Sequence, residues 1–382
     1  MRGMIRDMMR YHANRFPSPE QRVAQARGLL DFLANALSPG KESSNVLMKS
    51  YSLMLQGELE SLSAQPDYYL LHEHLETVNE PVYFHQFMES AEKHSLQYLG
   101  DADFFLMLIA HMAPEIRETL TRISNNLIQM EQYMDFVRNR LFRRTLLVRA
   151  DQKVNRTVTP EVVKTLYVHS LAEPIASSDP DIRTEGSLVE FKNPAGAVIG
   201  STTPIIKSAF AVLHENRPKP MHFEQVRRIA RKKISPGKVD DKKVALDDER
   251  DLSGNILNAY AANAISLYSF NPGIQQTPGV RPKVSSYVRQ QARMRGRVTS
   301  AFHVIIGIDE FGYHLLPLLD GTRDRESLVC ELTAISMSGV LPCKIDDKLV
   351  TDEMTIKAAV EKSINGALAF YASVGLFVER SA

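Results

Sequence analysis

Tyr68 to Ala91, reading YYLLHEHLETVNEPVYFHQFMESA, gathers aromatic rings, three histidines and several carboxylates into one short segment. Buried polar groups need partners and solvated faces need no rings, so neither an ordinary core nor an ordinary surface accounts for the mixture. Two chemistries fit these residue types. His72-Glu73-His74-Leu75-Glu76 invites a metal, because on a helix His72 and Glu76 share a face. A metalloprotease signature needs a second histidine where Glu76 stands, so that match fails, and no spacing fixes His85 or His94 nearby. A polar helix face packed on a neighbouring domain is the simpler account. The second chemistry uses the rings. Tyr68, Tyr69, Tyr83, Phe84 and Phe87 could wall a channel in which Glu73, Glu76 and Glu80 face a cationic group through cation–π and ionic contacts. The competing account makes half of these rings core. The candidate substrate-binding set is Tyr68, Tyr69, His72, Glu73, Glu76, Asn79, Glu80, Tyr83, Phe84 and His85. Asn79-Glu80-Pro81-Val82 is expected to cap and start the helix that carries Tyr83 to Phe87.

Two basic runs raise a different class of partner. Arg217 to Lys233 holds Arg217, Lys219, Arg227, Arg228, Arg231, Lys232 and Lys233 against Glu224 alone, and Arg281 to Arg297 holds six cations and no acid. On a winged helix such patches could neutralise phosphates. The whole chain, however, has 46 Lys and Arg against 45 Asp and Glu, so no overall bias points to nucleic acid or membrane. Solvated faces or an acidic protein partner fit better. Cys330 and Cys343 are the only cysteines in 382 residues, too few for a disulfide framework or a Cys-rich zinc site. The start, MRGMIRDMMRYHANRF, lacks the apolar core of a signal peptide, and no apolar run is long enough to span a bilayer. A cytoplasmic protein is expected.

The elements that must position these residues are mostly helical at first. Ser18-Pro19-Glu20-Gln21 combines a capping serine, a proline at the first helical position and a capping-box glutamine. Val23, Ala26, Leu30, Leu33 and Leu37 then form one apolar stripe, which Ser38-Pro39-Gly40 stops. Met48, Tyr51, Leu55, Leu59 and Leu62 mark a second helix. Ile123, Leu127, Met130, Met134, Val137 and Leu141 predict a third long one. An antiparallel bundle satisfies these stripes, and they are wide enough for a dimer interface, with Ala26, Leu30 and Leu33 its first candidates. After Arg149 the pattern changes to a proline-bearing junction. It is followed by strands LVEF and AVIG joined by Asn193-Pro194-Ala195-Gly196. Helices are expected near Thr203–His214, His222–Lys233 and Asp247–Ala262, before the strand AISLYSF. A second such unit starts near Pro282, with a basic helix, a strand at His303–Ile308, and helices near Tyr313–Leu319 and Arg325–Met337. It closes with a hairpin between Val340 and Val350, a helix Asp352–Ser373 and a strand LFVE. NAYAANAISLY and AFYASVGLFVE end the two units alike, a weak internal repeat. Leu315 to Val329, LLPLLDGTRDRESLV, reads as helix, glycine turn and helix. The fold class is α+β, mainly α. A bundle-like helical domain over residues 1–150 precedes winged-helix-like units over 151–275 and 276–382.

Tyr68 to Ala91, with MRGMIRDMMRYH at Met1–His12 and QRVAQARGLLDFLA at Gln21–Ala34, resembles the methyltransferase regulatory-domain family; LLPLLDGTRDRESLV is similar to its C-terminal part. In that family these elements follow the catalytic domain of S-adenosylmethionine-dependent methyltransferases, including bacterial, rickettsial-type protein-lysine methyltransferases. The resemblance implies a helical part that dimerises and covers the methyl-donor cleft, with the rest recognising a protein substrate. The Tyr68–Ala91 rings and carboxylates would then hold a lysine amine, which must be desolvated and lose its proton before attacking a methyl sulfonium. The methyl donor itself needs a strand, a Gly-rich turn and a helix. Gly196 and Gly200 sit in a hairpin pattern instead, and neither a P-loop nor a Gly-x-Ser-x-Gly elbow occurs. No catalytic residue, cofactor site or metal site is therefore expected here, and S-adenosylmethionine would belong to the complete enzyme. The expected partners are a methyltransferase catalytic domain or subunit, a protein substrate and a second copy of the chain. A winged-helix nucleic-acid-binding or transcriptional protein is the alternative.

Overall fold

The computed structural model describes residues 2–36, 46–176, 179–345 and 348–378. The chain divides into two compact units, Met1–His94 and Ser95–Ala382.

In the first unit, α1 (Arg2–Ala13), α2 (Pro19–Ala36) and α3 (Val46–Ser63) precede the single-turn α4 (Asp67–Tyr69), a π turn over Leu70–His74 and α5 (Phe84–Lys93). Ser18 Oγ accepts from the Gln21 amide at 3.2 Å, so the cap at the start of α2 forms as the sequence predicts. Val23, Ala26 and Leu30 then meet Ile5 and Met9 of α1 and Leu55 and Leu62 of α3 in one core, with Leu33 packed against it. This corrects the dimer-face expectation. Ala26 and Leu30 are used up inside the protomer because the facing helices complete the groove that this stripe fills. Leu37 and the Ser38-Pro39-Gly40 stop lie outside the described residues.

The second unit opens with β1 (Leu96–Asp101), α6 (Phe104–Met107), α7 (Pro114–Ile123), α8 (Leu127–Arg138) and β2 (Thr145–Arg149), β1 and β2 pairing antiparallel. The single long helix expected across Ile123–Leu141 is instead two. Asn126 ends the run by accepting from the Gln129 amide at 2.9 Å, an N-cap that starts a new helix, and Asn139 at φ 49° closes α8 before Leu141. Of the six stripe residues only Met134 is buried; Ile123, Leu127, Val137 and Leu141 are exposed.

β3 (Tyr167–His169), β4 (Glu173–Pro174), β5 (Val189–Lys192) and β6 (Val198–Ser201) lead into α9 (Pro204–Glu215), β7 (Met221–His222), α10 (Phe223–Ile234), α11 (Lys242–Ala261) and β8 (Ser266–Tyr268). The sheets run β4-β5-β6 and β7-β3-β8, antiparallel throughout. Gly196 takes φ +90° in the β5–β6 turn, while the Asn193 side chain accepts from the Ala197 amide at 2.9 Å. The core here is α9, buried from Ile205 to Leu213.

The C-terminal part runs through α12 (Ser286–Arg293), β9 (Val298–Thr299), β10 (Ile305–Ile306), α13 (Glu310–Leu315), α14 (Arg325–Met337), β11 (Lys344–Ile345), β12 (Lys348–Leu349) and α15 (Glu353–Ser373). Gly321 at φ +86° turns the chain between α13 and α14, and Asp324 caps α14 through the Ser327 amide at 2.9 Å. The β11–β12 hairpin is the wing between α14 and α15. Phe377 and Val378 form β-bridges with Val284 and Ile274; Glu379 of the expected closing strand lies outside the described residues. The two parts end by one mechanism. Ala264 N donates to Ala259 O at 2.9 Å after left-handed Asn263, and Leu376 N donates to Tyr371 O at 3.0 Å after left-handed Gly375. Both are Schellman closures. The fold is α+β and mainly α.

Candidate functional site

Two arginines fix the start of the Tyr68–Ala91 segment. Arg27 donates from Nη1 to Leu62 O at 2.9 Å and from Nη2 to Gln65 O at 2.6 Å, and pairs with Asp67 Oδ1 at 2.9 Å. Arg6 Nη2 donates to Glu76 O at 2.5 Å. Leu70 is wholly buried, with Tyr69, Leu71 and Leu75 packed on the same core, so the π turn is anchored on one side. Its other side faces outward: Tyr68 is 64% exposed, and His72, Glu73 and Glu76 are exposed. The His72–Glu76 pair does not share an α-helical face, since Glu76 lies past the π turn. The Glu76 carboxylate accepts from the Thr77 amide at 2.7 Å. Asn79 Nδ2 donates to Glu73 O at 2.7 Å, which closes the 73–79 loop.

Asn79 to Val82 do not start the next helix. α5 begins at Phe84 with Tyr83 as its N-cap residue, and Gln86 Oε1 accepts from the Tyr83 amide at 2.9 Å. The three-residue delay separates two neighbours that the sequence treats alike. Tyr83 is 58% exposed, whereas Phe84 is 4% exposed and buried with Met88 and Ala91 on one face of α5. Tyr83 stacks on His85, centroids 5.9 Å apart and planes 13° apart, and Tyr69 meets His74 edge-on at 5.9 Å. The structure thus presents Tyr68, His72, Glu73, Asn79, Glu80 and Tyr83 on the surface, with Tyr69 and His85 half-buried and Phe84 in the interior. Among the described residues no group of three or more His, Cys, Asp or Glu side chains converges on a metal position.

A second constellation leaves only a faint local trace in the sequence. Arg140 pairs with the buried Asp101 at 2.8 Å, while Arg143 pairs with Asp135 at 2.8 Å and with Glu131. These groups tie the end of β1 and the β2 approach to one face of α8. Burial pushes the carboxyls of Glu131 and Asp135 above their ordinary range, with Arg143 pulling both down. Burial also pushes the Tyr98 hydroxyl up, and the Glu131 charge adds to that. Perturbed groups of this kind mark functional or structural ion networks. The sequence signal was an acid pair one helical turn apart, Glu131 and Asp135, followed by RNRLFRR.

The basic runs also find partners within the chain. Arg227 pairs with Glu224 at 2.6 Å, Arg228 with Asp240 at 3.0 Å, Arg231 Nε bonds Asp248 at 2.9 Å, and Lys233 pairs with Glu215 at 2.7 Å. Arg217 pairs with Glu173. In the second run Arg295 grips Glu310 with two bonds of 2.5 and 2.6 Å.

Known proteins share this architecture. Residues 66–149 match the predicted methyltransferase regulatory domain, and residues 281–376 match the PKMT C-terminal winged helix domain. Protein RP789 of Rickettsia prowazekii (strain Madrid E) is 30% identical over 380 residues, which is 98% of this chain and 66% of that protein. RP027 of the same organism is 28% identical over 247 residues, 62% of this chain and 96% of that protein. The structure of PKMT2 from Rickettsia typhi is similar with TM-score 0.80 and 28% identity, over 99% of this chain and 72% of that one. PKMT2 in complex with AdoHcy gives TM-score 0.81. The chain therefore spans just under two thirds of the length of RP789. It is a methyltransferase-related protein, with residues 66–149 matching the predicted methyltransferase regulatory domain and residues 281–376 matching the PKMT C-terminal winged helix domain.

Proposed function

We propose that this chain is the regulatory, dimerisation and substrate-recognition portion of an S-adenosylmethionine-dependent protein-lysine methyltransferase. The observation that carries the reading is the outward ring-and-carboxylate surface of Tyr68, Glu73, Glu80 and Tyr83. These exposed residues lie in the segment matched by the regulatory domain, whose Asp67–Glu76 part is held by Arg6 and Arg27. Rings and carboxylates bind a protonated lysine, and once its proton has passed to solvent the free amine can form the N–CH3 bond as the donor's S–CH3 bond breaks and the thioether leaves. The donor, in this reading, is bound by a catalytic domain outside these 382 residues. The reading is supported by the absence of parallel strand pairs and of sheets larger than three strands among the described residues, because a nucleotide-binding cleft of the Rossmann type needs a parallel sheet. The relation to PKMT2, which is described with AdoHcy, supports the same assignment. No helix of the described residues is long and apolar enough to cross a membrane. Homodimerisation would use faces other than the Ala26–Leu30 stripe; Phe32, Leu53 and Met54 are exposed apolar candidates.

Two measurements test this reading. Calorimetry on the chain alone should show no micromolar binding of S-adenosylmethionine; such binding would overturn the donor assignment. In the complete enzyme, Glu73→Gln and Tyr83→Ala should cut methylation while the melting temperature stays nearly unchanged, since an exposed tip contributes little to stability. Unchanged turnover in both variants, or a loss that follows unfolding, would remove the surface from the mechanism. Phe84→Ala is the contrasting control: as a buried ring it should cost about 3–5 kcal/mol.

A further inference from the structure

A groove of about 710 Å³ runs between α14 and α15, floored by Val329, Ala334, Met337 and Ile364. Glu326, Glu353 and Glu361 stand along it, and none of them is held in an ion pair among the described residues. Of the two cations at the groove, Arg325 is turned to Asn365 Oδ1 at 2.7 Å, which leaves Lys357 between Glu353 and Glu361 on α15. Thr333 also lines the groove. It is only 6% exposed, yet its Oγ1 is buried without a hydrogen-bond partner. A buried hydroxyl with an unmade hydrogen bond is destabilising, so an occupant that supplies the bond is favoured. Three carboxylates and one unsatisfied hydroxyl thus border an apolar trough that holds only Lys357 and the Asn365-bonded Arg325 as cations. Such a lining repels phosphate and accepts a cation with an aliphatic stem.

We infer that this groove binds a lysine-bearing segment of a protein substrate. The lysine stems lie on Val329, Met337 and Ile364, their ammonium groups reach Glu326, Glu353 and Glu361, and Thr333 Oγ1 takes a hydrogen bond from the segment. The inference rests on the protein-lysine reading above, to which it adds a second recognition surface on the winged helix.

Cys330 provides the test, because its thiol is exposed and lines the groove. In the full chain carrying Cys343→Ser, Cys330 is the remaining thiol. Its alkylation by iodoacetamide is timed with an end-blocked hexapeptide alternating leucine and lysine, and with the same peptide carrying acetyl-lysine. The lysine peptide should slow alkylation several-fold at saturation and the acetylated one should not. Glu353→Gln with Glu361→Gln should weaken the lysine peptide about ten-fold, the sum of two partly exposed charge contacts. Thr333→Val, nearly the same in shape, should weaken it less. Circular dichroism and melting confirm that the variants are folded. Equal protection by both peptides, no protection, or unchanged affinity in the double glutamine variant would overturn the inference. The two readings fail separately. Loss of protection with lysine methylation intact in the complete enzyme removes the groove alone; protection of Cys330 in a complete enzyme that transfers no methyl group removes the methyltransferase reading alone.

Discussion

Replacing Arg143 by methionine should unfold the regulatory segment more effectively than any single apolar truncation there. The arginine is the shared cation of Glu131 and Asp135, and Glu131 is 2% exposed. Methionine keeps the aliphatic stem and removes the charge. The loss therefore reports the carboxylates left behind and not a cavity. Stranding one partner of a buried pair costs about 3–5 kcal/mol, and the second carboxylate places the expectation at the upper end. The pH dependence supplies an independent sign. Both carboxyls have native pKa values above their ordinary 4.5 and 3.8. Native protein thus holds protons that the unfolded chain has released, and their contribution falls as pH rises from those values through the raised ones. Without Arg143 the native values rise further and the window extends upward. The penalty should therefore be clearly smaller near about pH 5 than near about pH 7.5 in urea titrations followed by circular dichroism. Adding Glu131→Gln to Arg143→Met should recover about 1 kcal/mol or more, within the usual range for residues in contact. A loss below about 1 kcal/mol at neutral pH, or one that does not change with pH, would refute the argument that these charges hold the segment together.

Two further predictions concern the contact between the middle and C-terminal parts. His169 is buried, stacks on Phe302 at 4.3 Å and has its pKa pushed down to about 4 by burial. The native protein binds this proton less readily than the unfolded chain, so stability is intact above about pH 6.5 and drains as pH falls toward 4, by about 3 kcal/mol in all. His169→Phe keeps the stack and should flatten that slope; an unchanged acid limb in the melting curve would contradict it. Gly375 sits at φ +74° with the Phe302 ring 2.6 Å from where a Cβ would stand. Gly375→Ala should cost roughly 1–3 kcal/mol from backbone strain alone, and a variant that melts within a degree of the parent would show that the turn relaxes.

The parts of the fold written in local chemistry were legible in the sequence. Ser18 with Gln21, Asn193 with Gly196, and Gly321 with Asp324 each specify a boundary through groups within a few residues, and each forms. The apolar rhythm from Ile123 to Leu141 misled because a periodic stripe does not register a cap placed inside it. Asn126 restarts the helix without breaking the spacing of three and four. Likewise the step from Tyr83 to Phe84 decided which ring belongs to the surface, and it depended on where α5 begins. As the extended N-cap residue Tyr83 stands outside the helix, while Phe84 opens the face that Met88 and Ala91 continue into the core. The Asp101–Arg140 pair joins residues far apart in the chain, and no local pattern encodes such a meeting.

Charge shows most clearly how composition and function diverge. The run from Arg217 to Lys233 looks like a phosphate-binding patch as a string, because its acids are elsewhere in the sequence. Folding brings Glu173, Glu215, Asp240 and Asp248 to it. A nucleic acid docking there would have to displace these partners one by one, losing each internal pair as it gained a phosphate contact, so counterion release alone would not drive binding. The α14–α15 groove reverses the case. Its carboxylates are scattered among ordinary helix residues and draw no notice in the sequence, yet folding gathers three of them around an apolar floor with fewer cations than acids and closes no ion pair on them among the described residues. A charge left unpaired beside an apolar surface is available to a partner at no internal cost, and its sign specifies that partner. On the first unit the exposed carboxylates of Glu73 and Glu80 lie in the same segment as the exposed ring of Tyr68. In the proposed reading, two surfaces that set carboxylates beside apolar groups would favour a lysine-bearing protein over a phosphate backbone.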